Sequence, residues 1–254
     1  MNYSRRLVLE SVYNCRDLGG YATKDGKRTK FGVYVRSELP MNTSENDVNF
    51  LLDYGIKTVL DLRFVVEAES RPCVFKVMDE IRYIIEPLFP DIKSDEDVKK
   101  YWTATEDAKN DPLRWAKEYI NMVEKGKNWT KNVIEIAANC DGAMLFHCYT
   151  GKDRTGIIAA LLLGIAGVPT EDIAANYSES QSFLDPFFAK NMKVFNKEDR
   201  VANMAYSFLY TSPTNMFILM DHFEKKYGGV ENYLRSCDIS DEVMDKIRDK
   251  FVEK

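Results

Sequence analysis

The sequence predicts an α/β fold, and three observations carry that prediction. A strand, a helix and a second strand follow one another between Phe31 and Leu60. A short apolar run, Ala143 to Phe146, leads through a tight loop into an almost wholly apolar helix, Thr155 to Ile165. No internal repeat or low-complexity linker divides the 254 residues, which suffice for one core, so residues 1–254 are read as a single domain.

The elements follow in chain order. Leu7 to Val12 reads as a short strand. Asn14-Cys15-Arg16-Asp17-Leu18-Gly19-Gly20-Tyr21 reads as a loop, because paired glycines permit backbone angles that other residues avoid. Asp25-Gly26 marks a tight turn. Phe31 to Val35 is a strand ending at Arg36-Ser37. Thr43 or Ser44 can cap a helix with Glu45 in its first turn, and Gly55 stops it. Thr58-Val59-Leu60 is a strand core ending in Asp61-Leu62-Arg63, and Ile81 to Ile85 is another strand. Asp91 to Asn110 is acidic and interrupted, which suits a lid, a helical insertion or a loop. Pro112 to Val123 and Trp129 to Ala138 look helical. Ala143 to Phe146 is a buried strand by its apolar continuity. The apolar helix after it must be covered on both sides. Thr170 caps the next helix, and the pattern stays helical through Asn215 to Lys226. Gly228-Gly229 interrupts it, Val230 to Leu234 resumes it, and Ser240 opens the last helix.

Apolar residues make up 45% of the chain and charged residues 30%, the profile of a soluble globular protein. The formal charge of -5 and the pI near 5.3 argue against a general nucleic-acid binder. The five cysteines, Cys15, Cys73, Cys140, Cys148 and Cys237, are odd in number and widely spaced, as free thiols in a reducing compartment would be. The two histidines, His147 and His222, form no ligand cluster with them, so neither metal nor cofactor is expected. The first ten residues lack the apolar core of a signal peptide, and Ile157 to Val168 is too short to span a bilayer. A cytoplasmic chain without stable membrane insertion is the expectation; oligomeric state is not legible.

The chemistry concentrates in His147-Cys148-Tyr149-Thr150-Gly151-Lys152-Asp153-Arg154-Thr155-Gly156. Five residues separate the cysteine from the arginine, and a threonine follows. A loop between a strand and a helix N-terminus is an anion site. Backbone N–H groups from Tyr149, Thr150, Gly151, Lys152, Asp153 and Arg154 can turn inward around a phosphate, and the positive helix end faces the same anion. Gly151 lets the backbone turn with no side chain in the cradle. Arg154 can clamp two phosphate oxygens. GxxxxGK[ST] is absent, and the anion here would face a thiolate. That thiolate would attack phosphorus in line, displace the alcohol and leave a cysteinyl-phosphate for water to hydrolyse. Thr155 can donate its hydroxyl toward the departing sulfur. His147 is expected to hold the loop through an imidazole hydrogen bond. Lys152 is either positive charge near the mouth, a solvated side chain or the partner of an acidic residue.

The leaving oxygen needs a proton. Asp153, inside the loop, is the first candidate for general acid and then base. Asp61, at the predicted C-terminal end of a strand, is a second, or only orients Arg63. Asp91, in Phe89-Pro90-Asp91, is a third if that loop closes over the site.

The ten-residue loop resembles the HCxxGKDRTG signature of bacterial and fungal tyrosine phosphatases, a family with dual- and triple-specificity members that also resembles phosphoinositide phosphatases. Asn14-Cys15-Arg16-Asp17-Leu18-Gly19-Gly20 resembles its N-terminal motif, and Arg36-Ser37 the next one. Asp61-Leu62-Arg63, with Glu67 and Arg71-Pro72, resembles the third. Tyr227-Gly228-Gly229-Val230, with Tyr233-Leu234, resembles the C-terminal helical part. The likeness runs over nearly the whole chain.

The resemblance implies a cysteine-phosphatase-like fold: a central, mainly parallel sheet flanked by helices, with a helical lid or insertion around residues 91–127 and a helical part over 170–254. It implies metal-independent hydrolysis of phosphate monoesters, with protein phosphotyrosine, sometimes phosphoserine or phosphothreonine, and sometimes phosphoinositides as substrates. Cys148 falls on the family's nucleophile and Arg154 on its phosphate-binding arginine. Lys152 and Asp153 fall on the loop's lysine and aspartate, and the loop aspartate is the favoured acid in similar enzymes. His147, Asp61, Arg63, Arg16 and Asp17 are read as supporting residues. Two positions depart from the pattern. Cys15 replaces a common phenylalanine, and is either a buried apolar residue or the partner of Cys148 in a protective disulfide. Thr150 replaces a common alanine. Three other functions stand beside phosphotyrosine hydrolysis: a phosphoinositide phosphatase, sulfur transfer through a persulfide on Cys148, and a noncatalytic phosphate-binding module. Tyr206 to Leu209 and Phe217 to Leu219 read as helix packing, or as an apolar lid or lipid-facing surface.

Overall fold

The computed structural model describes residues 4–107, 111–191 and 211–254. Its sheet contains β1 (Arg16–Asp17), β2 (Tyr34–Ser37), β3 (Ile56–Asp61), β4 (Arg82–Ile85) and β5 (Ala143–His147), in the order β1-β2-β5-β3-β4. Every pairing is parallel except that of the short edge strand β1 with β2. This is the α/β architecture with a mainly parallel sheet.

Alternation along the strands builds two cores. Val35, Val59 and Leu145 face a thin layer formed by α1 (Glu45–Asp53) and the N-terminal segment. Tyr34, Leu60, Met144 and Phe146 face the thicker helical layer. That layer contains α4 (Arg114–Lys125), α5 (Lys127–Asn139), α6 (Asp153–Ile165), α7 (Thr170–Asn191), α8 (Pro213–Tyr227), α9 (Val230–Arg235) and α10 (Asp241–Phe251). Every residue of α6 from Asp153 to Leu163 is buried, because α6 packs against the sheet on one side and against neighbouring helices on the other. The short α2 (Val65–Ser70) follows β3, and α3 (Asp95–Asp107) lies between β4 and α4.

Several boundaries follow tertiary partners rather than local pattern. Leu7 to Val12 is not a strand: the Glu10 and Ser11 amides donate to the Asp47 carboxylate at 2.8 and 2.7 Å instead of to a ladder. Leu7 and Val12 are nonetheless buried, so their apolar spacing reflects core anchoring. β2 starts at Tyr34 rather than Phe31, because Gly32 is left-handed (φ 72°) and its amide donates to Asp17 at 2.7 Å. The acidic segment after Asp91 is helical from Asp95, opened by Ser94, whose hydroxyl accepts from the Asp97 amide at 3.1 Å. Leu219 is buried and Phe217 half-exposed, while Tyr206 to Leu209 lie outside the described residues. Among the described residues, no helix is long and apolar enough to cross a membrane.

The N-terminal segment is tied down by Glu38, whose carboxylate accepts from the Tyr13 and Asn14 amides at 2.5 and 2.7 Å. Burial outweighs those donors and pushes its carboxyl up from 4.5 to about 7. A carboxyl raised on folding stabilises the fold most below its unfolded value, and that contribution is lost as pH rises through its folded value. Urea stability is therefore predicted to fall between pH 4.5 and 7. Glu38→Gln should flatten that fall; an unchanged slope would contradict the assignment. Leu145→Ala, in the central strand, should cost about 2–5 kcal/mol by the same measurement. Val77→Ala, 85% exposed, should stay within about 0.5 kcal/mol.

Candidate active site

His147 ends β5, and residues 148–152 link it to α6. Four successive carbonyls of this loop are each held by a donor outside it. His147 Nδ1 donates to the Cys148 carbonyl at 2.9 Å, and the Leu39 amide donates to that of Tyr149 at 3.1 Å. Asn14 Nδ2 donates to the Thr150 carbonyl at 2.9 Å, and Arg36 Nη2 to that of Gly151 at 2.7 Å. In a trans peptide, the C=O of one residue and the N–H of the next point in opposite directions. The N–H groups of Tyr149, Thr150, Gly151 and Lys152 therefore turn away from these donors, as an anion cradle requires.

Gly151 is required for this shape. Its φ is +68°, and a Cβ there would lie 2.3 Å from the Ser37 carbonyl oxygen. Arg36 enters from the adjacent strand and is fully buried, with its other end donating to Asn176 Oδ1 at 2.5 Å. Burial lowers its guanidinium to about 10, still cationic at neutral pH.

Cys148 is 2% exposed at the start of the loop, and Arg154 lies in the first turn of α6. Arg154 Nη1 donates to Glu67 Oε2 at 2.7 Å. Its guanidinium lies 4.9 Å from the Phe64 ring centre and 5.6 Å from that of Trp102. Burial opposes the charge, but Glu67 outweighs it and holds Arg154 above its usual range. Glu67 also accepts from the Phe64 amide at 2.9 Å, capping α2 while it orients the arginine. Among the described residues, buried Arg154 Nε has no hydrogen-bond partner, and neither has Thr155 Oγ1.

The aspartates differ in their surroundings. Asp153 opens α6, where Oδ1 accepts from the Tyr119 hydroxyl and lies 3.4 Å from Lys152 Nζ. Lys152 is buried, 4.5 Å from the Trp115 ring centre, and burial lowers its ammonium despite Asp153. The solvated-lysine expectation is thus corrected: Trp115 and Asp153 draw the side chain inward. Asp61 sits at the end of β3, where both oxygens accept from Arg63 and Oδ2 also accepts from Tyr83 at 2.5 Å. Burial works against its charge, yet His147 and Arg63 hold its carboxyl down at about 2. Asp61 is therefore a poor proton donor at neutral pH, and its contacts orient Arg63. Asp91 is exposed ahead of α3.

The remaining residues lie around the loop or tie its neighbours together. Burial pushes the His147 imidazole down, and its donation from Nδ1 leaves Nε2 unprotonated. Arg16 Nη2 donates to the Asn176 carbonyl at 2.6 Å and to Ser180 at 2.9 Å, tying the N-terminal motif to α7. Asp17 accepts from the Gly19 and Gly32 amides and the Tyr54 hydroxyl. Tyr149 stands at the rim, its ring 5.2 Å from the Arg71 guanidinium.

Cys15 and Cys148 are both buried free thiols here, in keeping with the buried apolar reading of Cys15. The two cysteines also belong to different core clusters. Asn14, Arg36 and Glu67 stood in quoted motifs without assigned roles, while Tyr119 carried no local signal.

The chain is similar to several known proteins. A "Tyrosine-protein phosphatase" of Nostoc commune is 29% identical over 224 residues, covering 85% of this chain and 73% of the relative. A "Triple specificity protein phosphatase PtpB" of Mycobacterium tuberculosis is 25% identical, covering 94% of this chain and 96% of the relative. The solved structure of P. aeruginosa TpbA covers 77% of this chain and 90% of its own at 14% identity, with a TM-score of 0.32. The model of the tyrosine phosphatase family matches residues 7–253, nearly the whole length, and the chain belongs to that family.

Proposed function

We propose that the chain hydrolyses phosphotyrosine in proteins through a cysteinyl-phosphate on Cys148. The observation that carries this is the restraint of the loop: the carbonyls of residues 148–151 are held from outside, which leaves the N–H groups of residues 149–152 to face an anion between Cys148 and Arg154 at a helix N-terminus. Three equatorial phosphate oxygens would take these donors and the Arg154 fork, which strengthen as charge shifts in the transition state.

The electron bookkeeping closes within the site. The Cys148 thiolate forms an S–P bond while the P–O bond to the tyrosine oxygen breaks. Asp153 gives its proton to that oxygen. Water then attacks phosphorus, Asp153 takes the water proton, and sulfur leaves as thiolate toward the Thr155 hydroxyl. Lys152 and Arg36 add positive charge behind the loop.

Tyrosine is favoured by the walls. Trp102 flanks Arg154 and packs edge-on against Tyr101 at 4.9 Å, and both rings are partly exposed, with the buried Phe64 behind them. An aryl ester meets aromatic faces there, whereas a phosphoserine side chain is too short to use them. The names carried by the relatives are in keeping with this substrate.

The test is phosphate release in chelator from a phosphotyrosine peptide, a phosphoserine peptide and phosphoinositides, with Cys148→Ser as the blank. Cys148-dependent release, fastest from phosphotyrosine, is the expected result. Preference for lipid would move the substrate to phosphoinositides, and no release from folded, reduced protein would overturn the proposal. Arg154→Lys should lower kcat by about 100-fold or more, since it removes the fork but keeps the charge. Gly151→Ala should abolish turnover and weaken vanadate binding, measured by calorimetry.

A further inference from the structure

A chain of hydroxyls runs into Asp153 from the helical layer. The Tyr119 hydroxyl donates to Asp153 Oδ1 and lies 2.6 Å from the Tyr177 hydroxyl. Asn215 Nδ2 donates to the Tyr177 hydroxyl at 3.4 Å. A hydroxyl has one proton to give. With its proton committed to Asp153, Tyr119 must accept from Tyr177, and Tyr177 in turn accepts from Asn215. All three donors therefore point one way, toward the carboxyl. Lys152 Nζ also approaches Oδ1, at 3.4 Å. Donors converging on Oδ1 leave Oδ2 as the oxygen able to carry a proton.

Helix α6 is shaped to admit this chain. Gly156 lies one turn beyond Asp153, and a Cβ there would stand 3.0 Å from Tyr177 Cδ2. Glycine in a helix interior is unfavourable relative to alanine, so its presence here matches the close approach of the tyrosine. Tyr119 and Tyr177 are both fully buried, and burial first, then Asp153, keeps both phenols protonated at working pH.

We infer that Tyr119, backed by Tyr177 and Asn215, is a positioning residue that presents Asp153 as a general acid with its proton on Oδ2. This rests on the proposed role of Asp153. When the Oδ2–H bond breaks and the proton passes to the leaving oxygen, the electron pair stays on the carboxylate. The Tyr119 hydrogen bond to Oδ1 strengthens as that charge forms, which lowers the barrier rather than only binding substrate. Asp153 is also faced by Lys152 on its own loop, Tyr101 from α3 and Tyr177 from α7, and these set its remaining electrostatic surroundings.

The experiment compares wild type, Tyr119→Phe and Asp153→Ala on aryl phosphates with leaving groups of graded acidity, across pH. Tyr119→Phe should lower kcat about tenfold for the most basic phenol, with KM unchanged and little loss for the most acidic phenol. In the Asp153→Ala background the same substitution should add nothing. An equal loss with every leaving group, or a loss that persists without Asp153, would overturn the inference and make Tyr119 structural. If Asp153→Ala itself shows no leaving-group dependence, the acid assignment has failed instead. Gly156→Ala gives a second reading: it should weaken catalysis in the same leaving-group-dependent way, and an effect independent of leaving group would count against the chain.

Discussion

The backbone between Cys148 and Gly151 cannot turn over. Each of its four carbonyls is hydrogen-bonded to a group outside the loop: an imidazole, a backbone amide, a carboxamide and a guanidinium. Reversing any peptide would break one of these bonds and bury an unpaired carbonyl, at a cost of about 1–3 kcal/mol each. The same restraint turns the N–H groups of the following residues away from those donors, the arrangement that the proposed phosphate cradle needs. A site organised before substrate arrives avoids ordering its dipoles during the reaction, which is where electrostatic catalysis gains most.

The sheet supplies the restraining groups. β2 lies parallel to β5 with Ser37 opposite His147, so the residues just past β2 run alongside the loop. Arg36 and Leu39 reach it from there, and Asn14 arrives from the edge that β1 closes. On the other side, β3 ends at Asp61, which fixes Arg63, and α2 begins soon after with Glu67 against Arg154. Buried cations such as Arg16 and Arg36 are costly to desolvate. Here their Nη groups donate to Asn176 and Ser180, and Arg36 also donates to the Gly151 carbonyl, so its positive charge lies directly behind the loop.

Much of this was legible locally. Ala143 to Phe146 is apolar on consecutive positions because the central strand is covered on both faces. The Cys148–Arg154 spacing and Gly151 describe the loop because its shape depends on neighbouring residues along the chain. What escaped depends on distant partners. Leu7 to Val12 has a strand's composition, but Asp47 captures its amides. Lys152 looks like a surface residue until Trp115 covers it. Tyr119 is 34 residues from Asp153, and no periodicity links them. Whether Cys15 was packing or a partner for Cys148 was not legible in the chain; the fold buries both as free thiols in different core clusters.

We propose that the loop holds phosphorus against the Cys148 sulfur long enough to form a covalent bond. Protein quenched in the first turnovers with a phosphotyrosine peptide, then mapped by peptide mass spectrometry, tests it most directly. The account predicts one phosphoryl group on the Cys148 peptide, absent from Cys148→Ser. Phosphate release with no adduct on Cys148, or an adduct on another residue, would contradict it.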